Sequence, residues 1–418
     1  MNGWGRRVDD QAMFERAYGE AELATSEATV SATAYMWSDP DTIPPRQWVY
    51  GRQIQRKHVR GLVAQGGAGK TILSVGEALR MVTGRPLLGQ EVPGGPKRVW
   101  LWNLEDSREE LARIIQAACK HWGLTQADLQ GRLFVDSAVD GAALKLATSS
   151  PSSGLVINRP VVAALIDELI ERRIDYLHVD PFVSSHGANE SDNMEIDAIV
   201  KEWARVAHDA NAAIGLAHHV SKAGAGEVTA LSARGATALV NACRSVLTIN
   251  RMSEDEAKGF GINDEGRRRY FRAYDDKNNR APPSQHSDWY HLASVDLGNG
   301  DDLSPGDSIG VVEPWRPPDA FEGVTAHHLY QVQLAIDGGR WRENSQAADW
   351  AGHAVARVME WRSERECKQE RARITKVLRQ WISNGALTIT EAPDAKGTSR
   401  KWVEVGTWAI DSPPIISK

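Results

Sequence analysis

The chain has 418 residues, of which 25% are charged and 42% are apolar, and it carries a net charge of −6. These fractions are typical of globular proteins and exclude a disordered chain, while the length predicts two or three domains. The net negative charge excludes a global attraction to nucleic acid. Any contact with DNA therefore has to come from a local basic surface or from a channel.

The N-terminus is polar, and no apolar run reaches the length of a membrane span or of a signal-peptide core. The three cysteines, Cys119, Cys243 and Cys367, lie far apart and show no metal-ligand spacing, which is typical of reduced thiols. We therefore expect a cytoplasmic protein that does not contact a membrane. Residues 1–37 have weak helical character and are predicted to form an N-terminal arm.

A phosphate-binding loop is predicted at residues 62–71, which read LVAQGGAGKT. A short apolar strand enters a glycine-rich bend, and a helix follows the Lys-Thr pair, which is the arrangement that a nucleoside triphosphate needs. The glycines let backbone N–H groups point at phosphate oxygens, Lys70 reaches the β and γ phosphates, and the hydroxyl of Thr71 binds Mg²⁺. The residues predicted to bind ATP are Gly66, Gly67, Ala68, Gly69, Lys70, Thr71 and Ile72.

This match to the motif G-x-x-x-x-G-K-[ST] is imperfect, because Ala64 stands at the position of the first glycine. The alternative is a glycine-rich turn that binds nothing. The Lys-Thr pair argues against a dinucleotide-binding loop, in which it has no role.

Strands and helices alternate from residue 58 onwards, which predicts an α/β domain with a mostly parallel sheet over residues 38–297. Ligands of such sheets lie outside the carboxyl ends of the strands. Asp180 ends an apolar strand and is predicted to bind Mg²⁺ opposite Thr71. The alternative is a strand-end aspartate that only caps the next turn.

Further polar side chains follow two other strands. Glu105 is predicted to activate the water that attacks the γ-phosphate, with Asp106 as its rival, because an extended backbone points only one of them inward. Alternatively, both acids merely open the next helix. His218 and His219 end a third strand, and one of them is predicted to sense the γ-phosphate. The ordinary alternative is a histidine that is hydrogen-bonded by backbone.

Two long polar loops, 182–193 and 221–234, are predicted beyond the same strand ends. Loops of this length inside a compact domain are usually functional or disordered. Their position suits a channel that holds single-stranded DNA through its backbone.

Residues 298–320 are dense in glycine, aspartate and proline and are predicted to be a linker. Beyond them, helical segments followed by a hairpin with a basic tip predict a small winged-helix-like domain over residues 321–418. Basic residues on the last helix and at the hairpin tip suit duplex DNA, but a protein partner fits nearly as well.

Together these pieces resemble the RecA-like hexameric replicative helicases of plasmids and phages, and more closely their RepA-like branch. The resemblance covers residues 43–292, through LVAQGGAGKT, NLED, YLHVDP, LAHHVSK, SARGATALVNACRSVLTI and KNNRAPP. Members often have alanine at the position of Ala64. The resemblance implies a RecA-like P-loop core that binds ATP and Mg²⁺, and ATP hydrolysis between the subunits of a ring that acts on single-stranded DNA.

By position, the resemblance implies catalytic roles for Glu105, Lys70, His219, Lys277 and Arg244. The last two fall where a subunit offers basic finger residues to the ATP of its neighbour. Related ring helicases often show a Lys-x-Arg pair, whereas here Asn279 follows Lys277 by two positions and Arg280 stands one further on. Two other functions stay open: a DNA-dependent ATPase that loads a helicase or mediates recombination, and an ATP-switched DNA-binding regulator.

Overall fold

The structure is a computed structural model that describes residues 31–220, 227–229, 237–282, 284 and 286–409. It divides into two compact units, Met1–Arg46 and Gln47–Lys418. In the first unit, residues 31–46 are exposed and contain one short 3-10 turn, Pro40–Thr42. Most of the predicted N-terminal arm lies outside the described residues, as does most of the predicted DNA-binding loop 221–234.

The second unit consists of strands and helices that alternate over much of its length. The strands are β1 (Trp48–Tyr50), β2 (Ile54–Gln55), β3 (Val59–Gln65), β4 (Val99–Asn103), β5 (Leu133–Ser137), β6 (Ala147–Ser150), β7 (Gly154–Ile157), β8 (Tyr176–Asp180), β9 (Ala213–Val220), β10 (Ser245–Arg251), β11 (Tyr270–Asn278), β12 (Asp288–Asp296), β13 (Ser308–Pro314), β14 (Trp341–Arg342), β15 (Leu387–Pro393) and β16 (Ser399–Val405). The helices are α1 (Lys70–Thr83), α2 (Arg108–Trp122), α3 (Gln126–Leu129), α4 (Arg159–Glu171), α5 (Asn193–Asp209), α6 (Thr237–Ala242), α7 (Glu254–Phe260), α8 (Ala326–Asp337), α9 (Gly352–Met359) and α10 (Lys368–Ser383). Within the described ranges, none of these helices is long and apolar enough to cross a membrane.

A nine-stranded sheet forms the centre of this unit, in the order β13-β12-β11-β10-β3-β9-β8-β4-β5. The strands from β10 to β5 in that order are parallel, and β11, β12 and β13 extend the sheet antiparallel at one edge. The predicted α/β fold with a mostly parallel sheet is therefore confirmed.

Both faces of the sheet are covered by helices. One core contains Trp203 of α5 and Leu165 of α4, and the other contains Leu73 of α1 and Ile114 of α2. Strands buried on both faces need unbroken apolar runs rather than alternation, and β8 and most of β9 are buried along their length. The rigid sheet consequently fixes the positions of its strand ends.

The carboxyl ends of four adjacent strands, β3, β9, β8 and β4, lie side by side. The register pairs Ala64 of β3 with His219 of β9, and Asn103 of β4 with Asp180 of β8. The phosphate loop, which follows β3, therefore shares an edge with the polar residues that the sequence singled out.

Residues 298–320, which the sequence predicts to be a linker, contain the strand β13. Ser308–Pro314 pairs antiparallel with β12 and forms the last strand of the central sheet. Val311 and Val312 are buried in the core that also contains α1 and α2. The glycines, aspartates and prolines around this strand belong to the turns that flank it, which is why composition alone suggested a linker.

The C-terminal part contains helices α8, α9 and α10 and a separate three-stranded antiparallel sheet. The sheet has the order β14-β16-β15, so the hairpin β15–β16 pairs with a short strand that lies between α8 and α9. Trp350, Ile374 and Trp381 pack in its core. The predicted helical segments and the hairpin are thus present.

The first turn of α10 packs directly against the end of α7. A Cβ on Gly261, which ends α7 with φ +71°, would lie 2.4 Å from the Cα of Gln369 in α10. Two arginines of α10 are also engaged within the C-terminal part: Arg371 donates to the carbonyl of Ser345 at 2.6 Å, and the Arg373 guanidinium lies 3.9 Å from the ring centre of Trp361. Both the start of α10 and part of its positive charge therefore have structural roles.

Replacing Gly261 with alanine is expected to loosen the packing of α10 on α7. In the left-handed backbone conformation of Gly261, a side chain costs about 1–2 kcal/mol of conformational free energy. The added Cβ would also collide with the backbone of α10. Limited proteolysis of the C-terminal part should then become faster. Gly123 ends α2 with φ +60°, and a Cβ added to it would have no neighbouring atom within 4 Å. Gly123→Ala is therefore the matched control, and equal proteolysis of both variants would contradict the prediction.

Candidate nucleotide-binding site

The backbone between β3 and α1 forms an open loop lined by N–H groups. Gly67 and Gly69 adopt φ +70° and +100°, and nothing lies within 4 Å of a Cβ position on Gly66. No side chain caps the start of α1. The first N–H groups of a 14-residue helix therefore remain available to phosphate oxygens, and the helix dipole favours an anion there. Ala68 is buried and Ile72 is partly buried, so they support the loop from within.

Lys70, the first residue of α1, is buried and contacts a histidine. Its Nζ lies 2.6 Å from Nδ1 of His219, and Nε2 of His219 lies 3.9 Å from a carboxylate oxygen of Glu105. Burial lowers the pKa of Lys70 to about 8, although Asp180 and Glu105 act in the opposite direction. An ammonium ion whose closest partner is an imidazole, and not a carboxylate, can accept an anion such as a phosphate.

Thr71 and Asp180 form the second pair of the site. The Thr71 hydroxyl donates to Oδ2 of Asp180 at 2.9 Å, and Asp180 is buried. Two oxygen ligands suit Mg²⁺, which usually keeps several waters and takes one or two protein oxygens. The part of the chain that the structure describes contains no group of three or more histidine, cysteine, aspartate or glutamate side chains that could hold a metal on its own. The pair therefore fits Mg²⁺ that arrives with a nucleotide.

The turn after β4 distinguishes Glu105 from Asp106. Asn103 accepts the N–H groups of both residues, and its own amide donates to the Asp106 carboxylate at 3.1 Å. The Glu105 side chain is instead 56% exposed and lies beside His219. Ser107 caps α2 by accepting the N–H of Glu110, so neither acid is needed to open the helix. Of the two acids, Glu105 is the one directed at the phosphate loop.

The two adjacent histidines of β9 have different surroundings. His218 is buried, and burial together with its neighbours His219 and Lys70 lowers its pKa to about 4. Burial also lowers the pKa of His178 on β8. These two imidazoles are therefore neutral core groups, whereas His219 is partly exposed and faces Lys70 and Glu105.

Lys277 and Arg244 lie near the amino end of β3, whereas the phosphate loop follows its carboxyl end. Lys277 pairs with Val246, and Arg244 immediately precedes β10, so both are near the amino end of β3. Seven residues of β3 separate that end from the phosphate loop, a distance of about 20 Å. Lys277 donates to the carbonyls of Val240 and Asn241 at 2.8 and 3.0 Å. At this distance neither side chain reaches the phosphate loop of the same chain.

Arg251 is a residue of the site that sequence reasoning missed. It ends β10, which pairs with β3, and its guanidinium donates to the carbonyl of Gly67 in the phosphate loop. The two residues are 184 positions apart. A polar residue at a strand end was the available signal, but the sequence does not show which strand lies beside β3.

A comparison with protein families agrees with this geometry. Residues 25–225 match the family model described as an AAA domain. The chain contains a P-loop nucleotide triphosphatase domain. The match includes Lys70, Glu105, Asp180 and His219, and it ends before β10. No curated protein matches the chain.

Proposed function

We propose that the chain is an ATP-hydrolysing motor that assembles into a hexameric ring and moves on single-stranded DNA. Its role would be that of a replicative helicase of a phage or another mobile element. The P-loop nucleotide triphosphatase domain supplies the hydrolysis. The contact that links hydrolysis to DNA is the one between Lys70 and His219.

The Lys70–His219 contact is the observation that carries the proposal. A γ-phosphate bound by Lys70 has to compete with the imidazole for the ammonium ion, so nucleotide binding changes the partners of His219. His219 lies next to the last residue of β9, and the predicted DNA-binding loop begins directly after that strand. Each nucleotide state can therefore bias the loop, which is what a translocating motor requires.

The residues of the domain divide the chemistry between them. Lys70 and the N–H groups of the loop bind and orient the phosphates. Thr71 and Asp180 would hold Mg²⁺, which when bound offsets the charge of the β and γ phosphates. The exposed Glu105 carboxylate accepts a proton from the attacking water, and His219 reports whether the γ-phosphate is present.

Arg244 is the stronger candidate for a finger that reaches into the neighbouring subunit. Its side chain is exposed, whereas the Lys277 ammonium already donates to two carbonyls. Replacing Arg244 with alanine is expected to slow turnover by about 10²-fold, because a cation that stabilises the transferred phosphoryl group is lost. Nucleotide binding should be unchanged.

Mixed rings test whether Arg244 acts between subunits. A Lys70→Ala subunit lacks a working nucleotide site but retains Arg244, and an Arg244→Ala subunit has the reverse. Mixing the two inactive variants should restore part of the ATPase activity, because some interfaces then carry both groups. An Arg244→Ala variant with normal turnover would show that Arg244 is only a surface charge.

The proposed function is tested by three measurements on the full chain: the ATPase rate with and without single-stranded DNA, the mass in solution with ATP, and strand displacement on a forked substrate. Stimulation, a ring mass and displacement are expected. Stimulation without displacement would favour a helicase loader or a recombination mediator. Turnover that ignores DNA, together with tight and selective duplex binding, would favour a regulator.

For the C-terminal part we propose contact with duplex DNA or with a protein partner. Lys376 and Arg379 on α10 are exposed, as is Lys396 at the tip of the β15–β16 hairpin. The close packing of Gln369 on Gly261 restricts access to the start of α10. Binding of a labelled duplex, with and without ATP, distinguishes the two kinds of partner.

A further inference from the structure

A small cavity adjoins the site, and Thr71 and Asp180 form part of its lining. Its volume is about 10 Å³, and its lining includes Ser74 and His178. A volume of this size is close to the minimum that holds one water molecule. A buried water is retained, however, only where polar groups are available to bind it.

Two polar atoms of the lining have no hydrogen-bond partner among the described residues: Oγ of Ser74 and Nε2 of His178. Ser74 is 5% exposed and His178 is 3% exposed, so bulk water does not satisfy either group. A buried polar group without a partner costs about 1–3 kcal/mol. Two such groups lining the same cavity indicate that something polar binds both of them there.

Ser74 and His178 lie on the two elements that carry Thr71 and Asp180. Ser74 follows Thr71 by nearly one turn of α1, and His178 precedes Asp180 by two positions on β8. These spacings put Ser74 on the face of Thr71, and His178 on the face of Asp180. The cavity is therefore lined by the two elements that would supply the Mg²⁺ ligands, together with residues of β4 and α2.

The hydrogen bond at the other side of the His178 ring determines what the cavity side offers. Nδ1 lies 3.1 Å from the hydroxyl of Tyr176. When the Tyr176 O–H donates to Nδ1, the hydrogen of the neutral imidazole lies on Nε2. In this tautomer, which the inference requires, His178 presents an N–H donor to the cavity.

We propose that His178 and Ser74 hold one buried water molecule that positions the Asp180 carboxylate for Mg²⁺. The water accepts from Nε2–H of His178 and donates to Oγ of Ser74 and to Asp180, which gives it the three hydrogen bonds usual for buried water. His178 and Ser74 are positioning residues, because they act on Asp180 through the water and not on the nucleotide. The inference rests on the proposed ATP hydrolysis and adds a second layer to its metal site.

The test uses two replacements of His178, each of which puts a side-chain amide near the position of a different ring nitrogen. Glutamine can place a donor near the position of Nε2, whereas asparagine reaches only the position of Nδ1. Mg²⁺ is titrated into the full chain with a fluorescent ATP analogue, and ATPase activity is measured in parallel. We expect His178→Asn to raise the half-saturating Mg²⁺ concentration about tenfold, and His178→Gln to leave it nearly unchanged.

Ser74→Ala keeps the test valid if a His178 variant fails to fold, because alanine is well tolerated in a helix. It should also raise the Mg²⁺ requirement, while nucleotide binding in the presence of a chelator stays the same. Thr248→Val removes a buried hydroxyl on β10 that donates to the carbonyl of Tyr274, away from the cavity. As the matched control, it should change stability without moving the Mg²⁺ titration.

The outcomes separate the inference from the proposed function. Equal Mg²⁺ titrations for His178→Gln and His178→Asn, or a normal titration for Ser74→Ala, would contradict the inferred buried water. Neither result would contradict the proposed ATP hydrolysis. If the unaltered chain binds no nucleotide with Mg²⁺, both the proposed function and the inference are wrong.

Discussion

Replacing Lys70 with alanine is expected to abolish nucleotide binding. Lys70 is buried at the start of α1, where no side chain caps the first N–H groups of the helix. Its loss removes a charge-assisted contact to the phosphates and leaves His219 without its partner. A fluorescent ATP analogue titrated with Mg²⁺ should show at least a 100-fold weaker affinity, or about 2.7 kcal/mol.

Lys97 provides the matched control for this experiment. It is also partly buried with a lowered pKa, and its ammonium donates to the carbonyl of Pro93 instead of lying in the site. Lys97→Ala should therefore bind the analogue normally. Normal binding by Lys70→Ala would show that the triphosphate does not occupy the phosphate loop, and the proposed function would then be wrong.

The same lysine predicts a pH dependence of binding. Because burial holds the pKa of Lys70 near 8 in the free protein, the ammonium is lost as the pH rises above that value. Bound phosphates stabilise the charged form and raise its pKa, so binding takes up a proton above pH 8. Affinity should consequently fall from about pH 8 to pH 9.5, by up to about tenfold per pH unit.

Glu105→Gln is expected to bind ATP with nearly normal affinity and to turn it over about 10²- to 10⁴-fold more slowly. Glutamine keeps the size and the hydrogen-bonding capacity of the side chain but cannot accept the proton of the attacking water. The measurement is single-turnover hydrolysis at saturating ATP, compared with equilibrium binding of the same variant. Affinity reports the ground state, and turnover reports the base.

Asp106→Asn is the control for the neighbouring acid. The Asp106 side chain is tied to the amide of Asn103, so its replacement should disturb the turn after β4 more than it disturbs turnover. Normal hydrolysis by Glu105→Gln would transfer the role of the base to Asp106 or remove it from this turn altogether.

Prediction from sequence was most successful where the signal is local. The glycine-rich loop, the helix after Lys70 and the acids that follow strands depend on backbone conformation over a few residues. A positive φ at Gly67 and Gly69 and a break after Asp180 are readable because few residue types suit them. The sequence predicts Glu105 as the base with Asp106 as its rival, and the way Asn103 folds the turn is what distinguishes the two acids.

The strand β13 and the arginine beside the loop show where such prediction fails. Val311 and Val312 are a short apolar pair within a run of turn residues, and only their pairing with β12 makes them part of the core. Arg251 needed the knowledge that β10 lies beside β3. Neither fact is contained in any window of neighbouring residues.

The phosphate loop, the polar side chains at strand ends and the alternation of helices and strands can all be predicted from the sequence. The order of the strands is a property of the folded chain: it puts β3, β9, β8 and β4 side by side and so brings Lys70, His219, Asp180 and Glu105 together. The same order places Lys277 and Arg244 near the amino end of β3, and packing brings Ser74 and His178 to one cavity. The reason is physical: local conformation follows from nearby residues, whereas strand order follows from how two faces of a sheet bury their apolar side chains together.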